Sequence, residues 1–186
     1  MGTASMWRNY GPPRGPIDRR SPLAPLAGGC LAARLRGSES EIRREFTKLH
    51  WCPEDESFRI RGRYVPHDKP RTMELATNLG DVLTPRTSGS VVLTLKGEAL
   101  RLTAIDYGDR LWFVFSDPTS RGETYSAARF LDADMPGLDG MTTVDFSQAY
   151  NPPCAFNPYT TCLLPPPENQ LQVRIEAGEL DYVGRR

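Results

Sequence analysis

The side chains with the widest chemical capacity in this sequence lie between Asp117 and Glu179. Tyr125 and Arg129 stand four residues apart, and Arg129 has only small or apolar neighbours in Ala127, Ala128, Phe130 and Leu131. An arginine in such company either pairs with a buried carboxylate, with Asp145 or Glu168 as the expected partner, or points at a ligand anion. Farther on, Asp145, Tyr150, Asn151, Cys154, Cys162, Glu168 and Asn169 are interleaved with Pro152, Pro153, Pro158, Pro165, Pro166 and Pro167. Prolines reduce the entropy lost when a loop is ordered, so such a segment can hold polar groups in place without regular structure. The expected ligand-binding set is Tyr125, Arg129, Asp145, Tyr150, Asn151, Cys154, Glu168 and Asn169, built for a small polar or anionic molecule. No reaction type follows from it, and no cofactor is assigned.

Buried polar groups without partners cost on the order of 1–3 kcal/mol each. These side chains must therefore satisfy a ligand, water or one another. If they satisfy one another, the motif is a structural clasp and function is protein interaction elsewhere, for instance on the row Arg59, Arg61 and Arg63. A third reading, a flavin or nucleotide on a small barrel, finds no Gly-rich phosphate loop to support it.

The eight-residue spacing of Cys154 and Cys162 is not that of a zinc knuckle, and His50 and His67 are remote in sequence. A nucleophilic Cys154 would need a base such as His50 beside it. A disulfide across the loop needs an oxidising compartment. Two buried thiols packing the loop are the leading expectation. In Asp117-Pro118-Thr119, the carboxylate is placed to accept backbone N–H bonds in an Asx turn. A hard cation between Asp117 and Glu123 is the alternative. Glu176-Ala177-Gly178-Glu179 is expected to close the last strand, with Gly178 supplying the turn.

The elements that must position these groups read as mainly β: a small barrel or sandwich of short antiparallel strands, with one short N-terminal helix and Pro-rich C-terminal loops. Ser38 to Leu49 predicts the helix, with a capping box at Ser38 and Glu41 and an apolar stripe of Ile42, Phe46 and Leu49. Phe58, Ile60 and Tyr64 alternate with the three arginines as a half-buried strand. The runs 91–95 and 100–105 form a hairpin about Lys96-Gly97-Glu98. Leu111–Phe115 is a central strand, and 129–131, 142–146 and 171–175 are shorter strands.

The chain has 186 residues, with 23 basic against 23 acidic, so the formal net charge is zero and no nucleic-acid partner is expected. No run of apolar residues is long enough for a transmembrane segment. Residues 1–37 carry six arginines against one acid, with five prolines, and are expected to be a disordered basic tail. Residues 38–180 form the expected single domain and 181–186 a frayed end. The expected location is cytoplasmic. Export is the alternative, through Arg19-Arg20 or a lipobox-like Leu26-Ala27-Gly28-Gly29-Cys30.

Tyr150-Asn151-Pro152-Pro153-Cys154-Ala155-Phe156, Cys162, Pro165-Pro166-Pro167-Glu168-Asn169 and Ala177-Gly178-Glu179 together resemble the signature of the family called domain of unknown function 1684. Phe115, Asp117, Thr119 and Gly122-Glu123-Thr124-Tyr125 fit the same pattern, as do Phe46, Trp51, Pro53, Asp55 and Phe58-Arg59, so the resemblance runs over about 46–179. The chain has Ala128-Arg129-Phe130 where the family usually has Gly-Arg-Tyr, and Cys162-Leu163-Leu164 where it has Cys-Pro-Leu. The resemblance implies no known activity.

Overall fold

The computed structural model describes residues 40–184, together with the backbone of Ala24–Pro25 (β1) and Leu31–Ala32 (β2), which pair antiparallel. The chain divides into two units, Met1–Arg44 and Glu45–Arg186. The expected tail and the Ser38 end of the capping box lie outside the described residues.

The expected helix shrinks to one turn, Glu41–Glu45 (α1), with no buried residue. Phe46 and Leu49, which were to continue its apolar stripe, lie beyond it and are largely exposed. A single turn has almost no intrinsic stability, and no residue of this turn is buried to support it.

The second unit is built from nine antiparallel strands. β3 (Arg59–Thr72), β6 (Arg86–Leu95), β7 (Glu98–Thr103) and β11 (Met141–Asp145) form a four-stranded sheet in the order β11-β3-β6-β7. β8 (Ile105–Tyr107), β9 (Arg110–Phe115) and β10 (Arg129–Asp134) form a second sheet, in the order β10-β9-β8. β4 (Leu75–Ala76) and β5 (Val82–Leu83) make a small ladder of their own. The sheets are sandwich-like and do not close, so of the two expected architectures the barrel is not formed.

Period-two patterning decides which faces meet. On β3, Arg59, Arg61 and Arg63 face solvent while Phe58 and Gly62 are buried. The β6–β7 hairpin turns at Lys96 and Gly97, both at positive φ (50° and 83°), the two-residue geometry that matches strand twist. β9 is the central strand of its sheet, and Leu111, Trp112, Phe113, Val114 and Phe115 are all buried. One core joins the sheets, with Val91, Leu93 and Leu102 from one and Phe113, Phe115 and Leu131 from the other.

One expected strand is absent. Residues 171–175 alternate between buried and exposed, with a bend at Gln172 and Val173, and Leu171, Val173 and Ile175 seal the core, yet they join no ladder. Their backbone is held instead by Leu171 N–H to Ser116 O (2.8 Å) and Ile175 N–H to the Asp117 carboxylate (2.8 Å). The alternation reported burial correctly, but the Asp117 and Arg129 side chains took the bonds of Ile175 that a neighbouring strand would have made. Past that segment, Tyr182 is buried and stacks on Phe46, with ring centroids 5.7 Å apart.

Candidate functional site

Asp117 follows β9 and Arg129 opens β10. The antiparallel register sets Arg129 opposite Phe115, which brings a residue two past the end of β9 within reach of the guanidinium. Asp117 Oδ1 accepts from Arg129 Nη2 at 2.6 Å, and both side chains are fully buried. The other carboxylate oxygen accepts from Thr119 N–H (3.1 Å) and Ile175 N–H (2.8 Å), while Thr119 Oγ1 donates to Oδ1 (2.9 Å). The Asx turn expected at Asp117 is therefore present, as the cap of a short 3-10 turn over Pro118–Arg121. Arg129 also donates to Ala177 O (2.6 Å) and Ile175 O (3.1 Å), and its guanidinium lies 4.9 Å from the centre of the Phe115 ring. Burial lowers the pKa of Arg129, and the Asp117 charge opposes that shift.

The expected partners of Arg129 were Asp145 and Glu168, and neither is its partner. Asp145 ends β11 and caps the next turn, accepting from Ser147 N–H (3.1 Å) and Gln148 Nε2 (3.1 Å). Glu168 is exposed on the 3-10 turn Pro167–Asn169. The β9–β10 register carried the signal for Asp117, because a residue just past one strand of a hairpin can reach the start of the other.

Asn169 acts as a substitute piece of sheet. Its Oδ1 accepts from Thr103 N–H (2.8 Å), and its Nδ2 donates to Thr103 O (3.0 Å) and Val114 O (3.0 Å). It thus ties the end of β7 to β9, with both amide donors engaged and none left for a ligand. Asn151 Nδ2 donates to Leu180 O (2.8 Å), and Asn151 N–H donates to Glu179 Oε2 (2.9 Å). Glu179 is buried, and burial raises its pKa against the lowering effect of Asn151. Tyr150 donates to Asp132 Oδ2 (3.1 Å), and burial followed by the Asp132 charge raises its pKa. Gly178, at φ 84°, lets the chain cross close over this region: a Cβ there would lie 2.7 Å from Ala149 O.

Cys154 and Cys162 form a disulfide, with Cα atoms 5.7 Å apart, rather than the expected pair of packing thiols. The bond takes both sulfurs out of the zinc and free-nucleophile alternatives. Cys162 is anchored by Asn78, whose Oδ1 accepts its N–H (2.9 Å) and whose own N–H donates to its carbonyl (3.1 Å). The Tyr125 hydroxyl lies 3.4 Å from Cys162 Sγ. Tyr125, Asn78, Asn157, Thr160 and the two cysteines line a cleft of about 200 Å³. Of the eight expected site residues, only Tyr125 and Cys154 border it. Asn78, Asn157 and Thr160 were not on that list: β4 and its following turn bring Asn78 in from far away in sequence, and loop periodicity gave no cue to the other two.

The chain matches, over residues 44–180, the model of a family described as "Protein of unknown function (DUF1684)". It belongs to this family. No curated protein matches the chain. Among solved structures, this family member is similar to an uncharacterised protein of Haloarcula marismortui known from solution NMR. The two are 26% identical over 74% of this chain and 78% of that one, with a TM-score of 0.61. Among the described residues, no helix is long and apolar enough to cross a membrane.

Proposed function

We propose that this protein binds a small molecule bearing carbonyl or carboxylate oxygens in the cleft beside Cys154 and Cys162, and that the Arg129, Asn151 and Asn169 groups are the clasp that holds the cleft's walls in register. The division of hydrogen-bonding capacity carries this reading. The two Nη groups of Arg129 and the amide of Asn169 direct their donors to internal acceptors, while Arg129 Nε is buried without a partner among the described residues. At the cleft, Asn78 and Asn157 engage only their carbonyl oxygens, on the N–H groups of Cys162 and Tyr159 (both 2.9 Å). Their amide N–H groups and the Thr160 hydroxyl have no partner among the described residues, so the donors at the cleft suit an acceptor-rich ligand. No charged side chain lines the cleft, which favours hydrogen-bonded recognition over ion pairing.

Saturation-transfer NMR against a panel of small carboxylates and amides tests the proposal. At least one member is expected to bind, with Asn157→Ala and Thr160→Val each weakening it about tenfold, the worth of one good hydrogen bond. Binding that is unchanged in both variants, or no binding by any member at millimolar concentration, refutes it.

A further inference from the structure

The wall of this cleft contains the Cys154–Cys162 disulfide. Both cysteines line it, and their exposures differ: Cys154 is 8% exposed and Cys162 only 3%. Cys154 sits on the short turn Pro153–Ala155, with Asn157, Pro158 and Thr160 of the disulfide-closed loop at the cleft beside it. Cys162 is fixed from behind by its paired bonds to Asn78, and the next residue but one is tied by Leu164 N–H to Ala76 O (2.9 Å). The Tyr125 hydroxyl, 7% exposed, reaches Cys162 Sγ. Both residues are thus buried, Cys154 slightly less so, and Cys162 Sγ is held beside a hydrogen-bond donor.

This asymmetry bears on which sulfur thiol–disulfide exchange would strike. An incoming thiolate attacks one sulfur, and the rate rises as the departing sulfur becomes a better leaving group. Resting on the cleft-binding reading above, we propose that the ligand is a low-molecular-mass thiol carrying carboxylate or amide groups, and that Cys154–Cys162 is its electron acceptor. The thiolate attacks Cys154 Sγ and forms a mixed disulfide. The Cys154–Cys162 bond breaks, and its electron pair leaves on Cys162, where the Tyr125 O–H donates to the new thiolate. A second thiolate attacks the ligand's sulfur in the mixed disulfide, releasing the ligand disulfide and the Cys154 thiolate. Two thiols are oxidised, the protein disulfide is reduced by two electrons, and the two thiol protons pass through solvent to the cysteines. The cleft's free amide and hydroxyl donors hold the carboxylate or amide end of the thiol during attack.

Reduced glutathione serves as the probe, with the full chain in its oxidised form. Anaerobic incubation is quenched with an alkylating reagent and read by peptide mass mapping. The expected results are a mixed disulfide on Cys154 rather than Cys162, a rate that saturates with glutathione, and a rate about tenfold lower in Tyr125→Phe, the loss of one hydrogen bond to a charged sulfur. Parallel urea unfolding of Tyr125→Phe separates slower chemistry from altered stability, and Asn157→Ala is expected to raise the half-saturating concentration without moving the limiting rate. S-methyl glutathione, which cannot exchange, separates binding from chemistry. If it shifts the Asn78 and Thr160 amide signals while glutathione leaves the disulfide intact, the redox proposal fails and the binding reading stands. If neither happens, both fail. Reduction that is linear in glutathione and equal in all variants, or an adduct on Cys162, also overturns the redox proposal.

Discussion

Replacing Arg129 by methionine tests the clasp directly, because methionine keeps most of the buried volume and removes only the charge and its donors. The guanidinium and the Asp117 carboxylate are both fully buried, so neither can turn to water when its partner goes. Arg129→Met strips three hydrogen bonds, to Asp117, Ala177 O and Ile175 O. Asp117 keeps Thr119 and Ile175 as donors, but its charge loses the cation that balances it. Breaking a buried pair from one side costs about 3–5 kcal/mol. For a chain of this size, at about 2–4 °C per kcal/mol, Tm falls by roughly 6–20 °C. Urea unfolding followed by circular dichroism and tryptophan fluorescence gives the free energy. Because the pair is dry, the loss should be nearly the same in low salt and in 1 M salt. The double variant Arg129→Met/Asp117→Asn should be more stable than the two single losses predict, by about 1–3 kcal/mol, since it no longer buries an uncompensated charge. A loss below about 1 kcal/mol in Arg129→Met, or strict additivity in the double variant, refutes the clasp as the role of this pair.

Three further outcomes follow from the same region. Asn169→Asp leaves Thr103 O and Val114 O facing a carboxylate instead of an amide, so its stability should fall as pH rises through the raised carboxyl pKa that this environment imposes; denaturation from pH 4 to pH 8 shows this, with the parent as reference. Burial raises the Glu179 pKa above its ordinary 4.5. Its proton therefore favours the folded state, and the stability it contributes is full below the unfolded value and lost as pH rises through the folded one. Glu179→Gln should remove that decline, so the two unfolding profiles converge at acid pH and separate, with the variant the more stable, at neutral pH. Gly178→Ala should be destabilising by more than about 1 kcal/mol, since alanine must take a positive φ while its methyl meets the Phe146 and Ala149 carbonyls; thermal unfolding by calorimetry reads it.

The strands were legible where one face is buried and the other wet. Arg59, Arg61 and Arg63 announced β3, and the apolar run 111–115 announced a central strand. Residues 171–175 show where that logic stops: alternation encodes which side chains go inside, and says nothing about what satisfies the backbone between them. The short helix failed for a different reason: Phe46 packs on Tyr182 from beyond the helix and Leu49 stays largely exposed, so the stripe is not used as a helical face. At the candidate site, residue type found the important groups and local spacing assigned some of them wrongly. Arg129 was picked out by its apolar neighbours, but its partner Asp117 follows from strand register. Asn78 was invisible because the bonds that bring it to Cys162 span 84 positions.

The lock that Asn169 supplies has a consequence for how this protein is made. Thr103, Val114, Asp117 and Arg129 all receive partners from residues 169–177, which leave the ribosome after both sheets have been synthesised. A nascent chain that has reached only residue 165 holds the strands but not the groups that quench their interior polar atoms. Both sheets must then wait for residues 169–177. Folding is therefore committed only once residues 169–177 are available, and a stall before them would leave both sheets' strands synthesised and still without their native interior.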